Sequence, residues 1–394
     1  MCRLPERLSS LRRSQQASFD VAIVGAGPAG AATALGLARK GFSVALINRR
    51  RSGWHVGETV PPTIVKPLSA LGLWETFVAA RHSEAPGTVV AWGNSRPFEN
   101  DFILNAYGPG WHLDRAGFDA MIVNSARDAG ARVQDGLVQH CFHCERDVWR
   151  LHVQSPDGPS IIEARWVVDA SGRSSWLARR LGATRVATDR LLSLVKWLPS
   201  EASTEKRTLI ESCETGWWYS ANVPGCRTVI AYFSDIDLLP KDRSERTAEW
   251  NAQFSLTSLM FGVHGNAADE RAHCFAAASE HVVQSAGRRW IAVGDAEASF
   301  DPLSGQGIMN ALTSALDGTA FIADSFEKEA TCASFLQSSQ TRYAQYLQLR
   351  GAYYGRETRW PDAPFWRRRR SGASGTDGIR APIAVSGVVN VHPP

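Results

Sequence analysis

Glycines 25, 27 and 30, in the stretch FDVAIVGAGPAGAATALGLARKGFSVALINRR, are spaced G-x-G-x-x-G between a short apolar strand and an alanine-rich helix. That spacing suits the holding of a pyrophosphate. Gly25 permits the tight turn, Gly27 lets bare backbone approach the anion, and Gly30 lets helix and strand pack closely. Pro28 and Ala29 open the helix, whose positive N-terminus favours phosphate. At the end of the second strand an acid ordinarily holds the adenosine ribose. Here the residue is Asn48, followed by Arg49, Arg50 and Arg51. The Asn48 amide oxygen can accept a hydroxyl proton. The arginines suit stacking on adenine or meeting a 2′-phosphate, so this position alone leaves FAD and NADP both open.

A second cluster lies in DPLSGQGIMNAL, residues 301–312. Pro302 fixes its own φ and removes a donor, Gly305 and Gly307 flank Gln306, and an apolar helical run starts at once. Such an opening brings bare backbone close to a ligand. Just upstream, RWIAV reads as a strand leading to the pair Gly294-Asp295. Three further segments precede it. GWHVGETVPPTIVKPLSALGLWETF (53–77) has a Gly57-Glu58 turn before an amphipathic helix. WHLDRAGFDAMIVNSARDAGARV (111–133) offers Asp114 as an N-cap with Arg115 in the first turn. RWVVDASGRSSWLARRLG (165–182) reads as a buried strand ending in Asp169 and a small-residue turn.

Taken in this order over most of residues 18–345, the set resembles the FAD-dependent monooxygenases of the aromatic-hydroxylase type. Their relatives are the flavin-dependent halogenases and the geranylgeranyl reductases. The resemblance implies that Asp295 bonds the FAD ribitol and that Arg115 contacts the cofactor. It also places the turn of Pro302, Gly305, Gln306 and Gly307 along the isoalloxazine, its N–H groups toward the edge that becomes negative on reduction. Gly57, Glu58, Asp169 and Gly294 join the cofactor-binding set on the same ground.

In the resembling halogenases a lysine after the Gly-Glu helix and a glutamate in the flavin-side turn carry the halogenation. This chain has no lysine between Lys66 and Lys196, and Ser304 stands in the glutamate's place. The resemblance therefore implies hydroxylation of an electron-rich aromatic ring through a C4a-hydroperoxyflavin, with O2 consumed and the flavin itself carrying the chemistry, so that no catalytic side chain is named. The combination of GETVPP, GWWYSANVP, DPLSGQG and RWPDAPFWRRRR looks most like flavoproteins that hydroxylate tryptophan in a partner polypeptide during tryptophylquinone cofactor biogenesis. Alternatives are a hydroxylase or epoxidase of a free small molecule, and, with less support, a halogenase, a prenyl reductase or a flavin-binding chaperone. The reductant is NADH or NADPH, used directly or through a separate flavin reductase.

These segments require an α/β fold: a doubly wound Rossmann-type FAD domain from residues 18–75, 105–185 and 278–345. An interleaved, mostly antiparallel substrate sheet is expected from 76–104 and 186–277. Within it, residues 211–235 read as two strands around Pro224-Gly225. Alternation puts Trp217 and Tyr219 on one face and Trp218 on the other, as candidates for the substrate pocket or as core aromatics. Residues 346–394 begin helical and then wrap or fray.

Composition is that of an ordinary globular chain: 394 residues, 44% hydrophobic and 21% charged. A net charge of +4 does not suit a nucleic-acid binder, and the excess is local. Residues 1–13 carry four arginines against one acid, and 356–370 carry six against two. These read as two solvated basic ends or as docking sites for an acidic partner, the second also as a helix terminus. His140-Cys141-Phe142-His143-Cys144 invites a metal reading, but it falls in GARVQDGLVQHCFHCERDVWRLHV, which reads as two strands. Residues three apart on a strand face opposite sides, so no metal is expected. SLRRSQQ (10–16) faintly resembles a twin-arginine signal. No apolar stretch reaches the length of a membrane span, and a cytoplasmic protein is expected.

Overall fold

The computed structural model describes residues 15–49, 59–144, 147–199, 205–225, 227–265, 270–328 and 331–370. Gly57, Glu58, Arg50, Arg51 and most of the double-arginine stretch lie outside the described residues.

One sheet carries the strand of the glycine turn. Its members are β1 (Gln15–Val24), β2 (Val44–Asn48), β8 (Arg132–Asp135), β9 (Leu137–Cys144), β10 (Val148–Ser155), β11 (Gly158–Asp169), β19 (Ala286–Gly287) and β20 (Trp290–Ala292). The order is β19-β20-β11-β1-β2-β8, with β10 and β9 added antiparallel beside β11. The stretch β20-β11-β1-β2-β8 is parallel. Val21, Ile23, Leu46 and Val168 are fully buried, as a parallel sheet covered on both faces requires. Helices α1 (Pro28–Arg39), α4 (Arg115–Asp128) and α8 (Gly307–Glu327) cover one face, sharing a core with Leu35, Ile122 and Ala315. The other face is covered by β9, β10 and α5 (Trp176–Arg180), through Leu151 and Leu177. The chain leaves β1 toward β2 on one side, while β11 and β20 lie on the other. Ligands of such sheets bind where the order reverses, beyond the carboxyl ends of the strands. Those ends are level: Val24 pairs with Asp169 and with Ile47, and Val293 N donates to Asp169 O at 2.9 Å.

A second sheet has the order β17-β13-β16-β15-β14-β5-β6. It comprises β5 (Gly87–Ala91), β6 (Phe98–Asp101), β13 (Leu191–Pro199), β14 (Thr208–Cys213), β15 (Gly216–Val223), β16 (Arg227–Asp235) and β17 (His273–Ala276). Only the β5–β14 pair is parallel. α6 (Arg246–Ser255) and α7 (Leu259–His264) flank it, and α6 packs Trp250 and Phe254 on one face. α9 (Ala333–Gly355) and α10 (Pro364–Arg370) pack Tyr354, Phe365 and Trp366 on the other. Two three-stranded ribbons complete the fold. One is β3 (Thr59–Val60), β4 (Ser83–Ala85) and β7 (Gly110–His112); the other is β12 (Arg185–Ala187), β18 (Glu280–Val282) and β21 (Ala298–Ser299). Among the described residues no helix is long and apolar enough to cross a membrane.

Several local expectations are corrected. Residues 132–155 form three strands, because β8 pairs with β2 before the chain turns at Gly136 into β9. Residues 211–235 also span three strands: the end of β14 turns back at Thr215, whose hydroxyl bonds the Tyr232 hydroxyl at 2.6 Å. The helix after Gly57-Glu58 is broken into α2 (Val65–Ala70) and α3 (Trp74–Ala79) at Gly72, whose φ is +59°. A boundary at residue 345 falls inside α9. Through residue 370 the C-terminal region is packed, with Tyr354, Phe365 and Trp366 fully buried.

Candidate cofactor site

A cavity of about 840 Å³ opens at the level ends of β1, β2 and β11. Its floor is the β1–α1 turn. Each glycine there has its own steric reason. Gly25 has φ +111°, and a Cβ on it would lie 2.2 Å from Ala170 O. A Cβ on Gly30 would lie 1.9 Å from Gly25 O, so helix and turn could not close. A Cβ on Gly27 would meet nothing within 4 Å, because Gly27 faces the cavity, as do Gly25, Pro28 and Ala29. α1 begins with no side-chain cap and no acid in its first turn. Its N-terminal N–H groups are thus left to a ligand, and the dipole favours an anion there.

Asn48 and Arg49 line one wall. Asn48 Nδ2 donates to Asp135 Oδ1 at 3.0 Å across the β2–β8 pair, which fixes the orientation of the amide. Arg115 stands on another wall, at the start of α4. Asp114 caps that helix by accepting from Ala116 N at 3.1 Å, and the Arg115 guanidinium is paired with Asp119 at 3.2 Å.

Asp295 lines the cavity from the short turn Gly294–Ala296. Gly294 has φ +60°, and a Cβ there would stand 2.6 Å from the Ala29 side chain, so this turn packs on the glycine turn itself. Two arginines hold the segment. Arg173 Nε lies 3.6 Å from Asp295 Oδ2, and Arg185 donates to Asp295 O at 2.9 Å. Ser175, fully buried at φ +41°, donates to Ala296 O at 2.7 Å. A non-glycine in that region costs energy, which the surrounding bonds offset.

The turn of residues 301–307 closes the far end. Pro302–Ser304 is one 3₁₀ turn, Gly305 is left-handed at φ +59°, and α8 starts at Gly307 behind Gln306. Gly307 and Ile308 touch the cavity; Pro302, Gly305 and Gln306 shape the turn behind them and are not among its lining residues. α8, like α1, opens with no side-chain cap and no first-turn acid. Ser304 Oγ donates to Asp301 O at 2.8 Å and accepts from Gln306 N at 3.3 Å, so its hydroxyl closes the turn. Two uncapped helix starts on one dinucleotide-sized cavity, with Gly27 open to it, fit a cofactor bearing a pyrophosphate and a second electron-rich end.

Some candidate residues have other tasks. Asp169 is fully buried and is not among the cavity-lining residues. Its carboxylate accepts from Leu177 N and Ala178 N at 2.9 Å and from Ser171 N at 3.0 Å, fastening α5 to β11. Burial pushes its pKa up, while those N–H groups pull it down. The cavity is lined instead by the small residues after it, Ala170, Ser171, Gly172 and Ser174, with Trp176 beyond. The small-residue turn was the signal for them, and the acid beside it drew attention away.

Trp217 and Trp218 are corrected to core residues. Trp217 stacks on Phe233 at 3.9 Å, and Trp218 packs edge-on to Trp250 on the opposite face. Tyr219 shares the Trp217 face as the alternation requires, and its hydroxyl bonds Thr59 Oγ1 at 2.7 Å. His140, Cys141, His143 and Cys144 lie on strand β9; among the described residues no group of three or more potential ligands could hold a metal.

The arginines of 356–370 are largely built into the fold. Arg369 is buried against Asp235 at 2.7 Å, Arg368 reaches Asp235 and Asp237, and Arg359 pairs with Glu357. They close α10 and the segment before it onto the second sheet.

Residues 18–323 match the FAD binding domain family. LodB of Marinomonas mediterranea, described as a FAD-dependent oxidoreductase, is 32% identical over 367 residues, 90% of this chain and 97% of LodB. The flavin-dependent halogenase armH3 of Armillaria mellea is 26% identical over 371 residues, 84% of this chain and 73% of armH3. Among solved structures, the peptidyl tryptophan dihydroxylase QhpG, essential for tryptophylquinone cofactor biogenesis, superposes with a TM-score of 0.77 at 26% identity. That likeness covers 93% of this chain and 82% of QhpG.

Proposed function

We propose, for a chain that belongs to the FAD binding domain family and to its flavin-dependent monooxygenase and halogenase enzymes, that the reaction is hydroxylation of a tryptophan side chain in a partner polypeptide. The observation that carries this reading is the turn at Ser304. There a hydroxyl closes the backbone by bonding Asp301 O, where the resembling halogenases have a glutamate. The absence of lysine from residues 67–195 points the same way. The likeness to QhpG supports a peptidyl tryptophan as substrate.

Bound FAD, reduced by NADH or NADPH or by a separate reductase, supplies the activated oxygen from O2. The chain's own residues bind and orient. Gly27 and the first turn of α1 would hold the pyrophosphate, and Asn48 would meet the ribose. Arg115 and Asp295 would face the linking chain, and the N–H groups at Gly307 and Ile308 would stabilise negative charge at the far end. Halogenation is the second reading, favoured by relatives such as armH3.

The test is the intact mass of tryptophan-containing polypeptides encoded beside this protein, each co-expressed with and without it. Addition of oxygen on a tryptophan is the expected result. No mass change with a flavin-loaded enzyme overturns the polypeptide substrate in favour of a small molecule, and a halogen isotope pattern overturns hydroxylation itself.

A further inference from the structure

Asp301, immediately before the cofactor-side turn, is bonded through every polar atom it has. Its N–H donates to the Tyr346 hydroxyl at 2.8 Å, and its carbonyl accepts from Ser304 N and Oγ. Oδ1 accepts from Leu303 N at 3.0 Å, and Oδ2 accepts from Arg350 Nε at 3.1 Å and from the Tyr354 hydroxyl at 2.8 Å. Tyr346, Arg350 and Tyr354 all belong to α9 and come round at helical spacing onto one face. The Tyr354 hydroxyl in turn accepts from Trp217 Nε1 at 3.0 Å. Direction is forced here. An indole N–H only donates and a carboxylate only accepts, so the hydroxyl must take from Trp217 and give to Asp301. Tyr354 thus ties three bodies together: the turn at the cavity, strand β15 of the second sheet, and α9. The carboxylate and the phenol are both fully enclosed, and Arg350 also pairs with Asp189 at 2.9 Å.

We propose that Asp301, Arg350 and Tyr354 are positioning residues for the cofactor. Through them α9 sets the start of α8, and with it the N–H groups of Gly307 and Ile308, at the cavity wall. None of the three lines the cavity, so each acts through the turn. The proposal rests on FAD binding and not on the identity of the substrate, so a negative mass experiment above leaves it standing, and its own failure leaves the hydroxylation reading standing.

The test is FAD titration of apoprotein, read by flavin fluorescence, with the visible spectrum of the bound flavin and the thermal midpoint measured alongside. Tyr354→Phe deletes the bridging hydroxyl. Arg350→Gln removes the charge, and Arg350→Lys restores it without the fork. Trp250→Phe is the control, since Trp250 is buried on α6 against the opposite face of the second sheet and touches none of the three. Y354F and R350Q are expected to weaken FAD by about tenfold, the scale of losing one bond to a charged group, and to shift the flavin absorption. R350K should fall between R350Q and the parent. W250F should lower the thermal midpoint while leaving FAD affinity within about twofold. The proposal fails if FAD affinity follows the loss of thermal stability alike in all variants, or if Y354F and R350Q leave affinity and spectrum unchanged. Should Y354F and R350Q not accumulate folded, R350K decides: parental affinity and spectrum overturn the proposal, and a weaker, shifted flavin supports it.

Discussion

The two turns that frame the cavity are built by opposite means. Residues 25–30 hold their shape through local backbone sterics, with Gly25 against Ala170 O and Gly30 against Gly25 O. Residues 301–307 have two glycines and a proline as well, yet their anchor is a carboxylate gripped by side chains 49 and 53 positions further along the chain. A turn made by sterics is sensitive to added atoms, whereas a turn made by remote bonds is sensitive to atoms removed.

The largest effect should come from emptying the second anchor. Arg350 stands between the enclosed carboxylates of Asp301 and Asp189. Arg350→Ala leaves two buried acids facing each other without a cation, and removing one partner of a buried pair costs about 3–5 kcal/mol. Chemical denaturation should show this loss. A change below about 1 kcal/mol would mean that water enters and the anchor is not sealed. Next comes Gly30→Ala in the first turn. Its Cβ would overlap Gly25 O, and overpacking of this kind costs about 1–3 kcal/mol or more. An unchanged thermal midpoint would show that the β1–α1 turn can relax, against the steric account.

These two turns also show what was legible in the sequence. The glycine turn is legible because the reasons for Gly25 and Gly30 lie within the turn or just past the neighbouring strand, and its spacing marks Gly27 as the one left open. The second turn is legible as a glycine-opened helix start, but not its anchor, because nothing in DPLSGQG announces Arg350 or Tyr354. The same holds for Arg368 and Arg369. As part of a run of charge they read as a solvated end, and only the fold brings Asp235 and Asp237 opposite them. Trp217 and Trp218 were ambiguous for a different reason. An aromatic strand suits a pocket and a core equally, and the packing of α6 on one face and α10 on the other decides it. Asp169 misled because an acid at a strand end can cap a helix as readily as it can meet a cofactor.

A pH experiment asks whether the two layers fall together. His264 on α7 bonds Ser220 Oγ at 2.8 Å beneath the second sheet, and burial lowers its pKa to about 4. An unfolded histidine titrates near 6.5. The unfolded chain therefore binds the extra proton first, so stability present above pH 6.5 is lost as pH falls toward 4. The scale is about 2–3 kcal/mol at the lower end. His264→Gln should flatten that part of the stability profile. If acid melts the second sheet while the glycine-turn layer persists, Tyr354 does not couple them; a single transition supports the coupling.

The smallest expected change in stability is the most telling about the ligand. Gly27→Ala adds a methyl group into space with no protein atom within 4 Å, at a residue whose backbone is already in the extended region, with φ −72° and ψ −177°. Alanine adopts that conformation without strain, and the narrower unfolded ensemble even favours the folded chain by about half a kcal/mol. The thermal midpoint of the apoprotein should therefore hold or rise slightly. FAD affinity should nonetheless fall by about tenfold or more, because the methyl group occupies the approach that the pyrophosphate needs. A variant as stable as the parent that binds FAD equally well would show that the phosphates lie elsewhere on the cavity wall. The uncapped start of α1 would then need another explanation. Loss of binding with stability retained separates the one glycine kept open for a ligand from its two neighbours, which the fold itself requires.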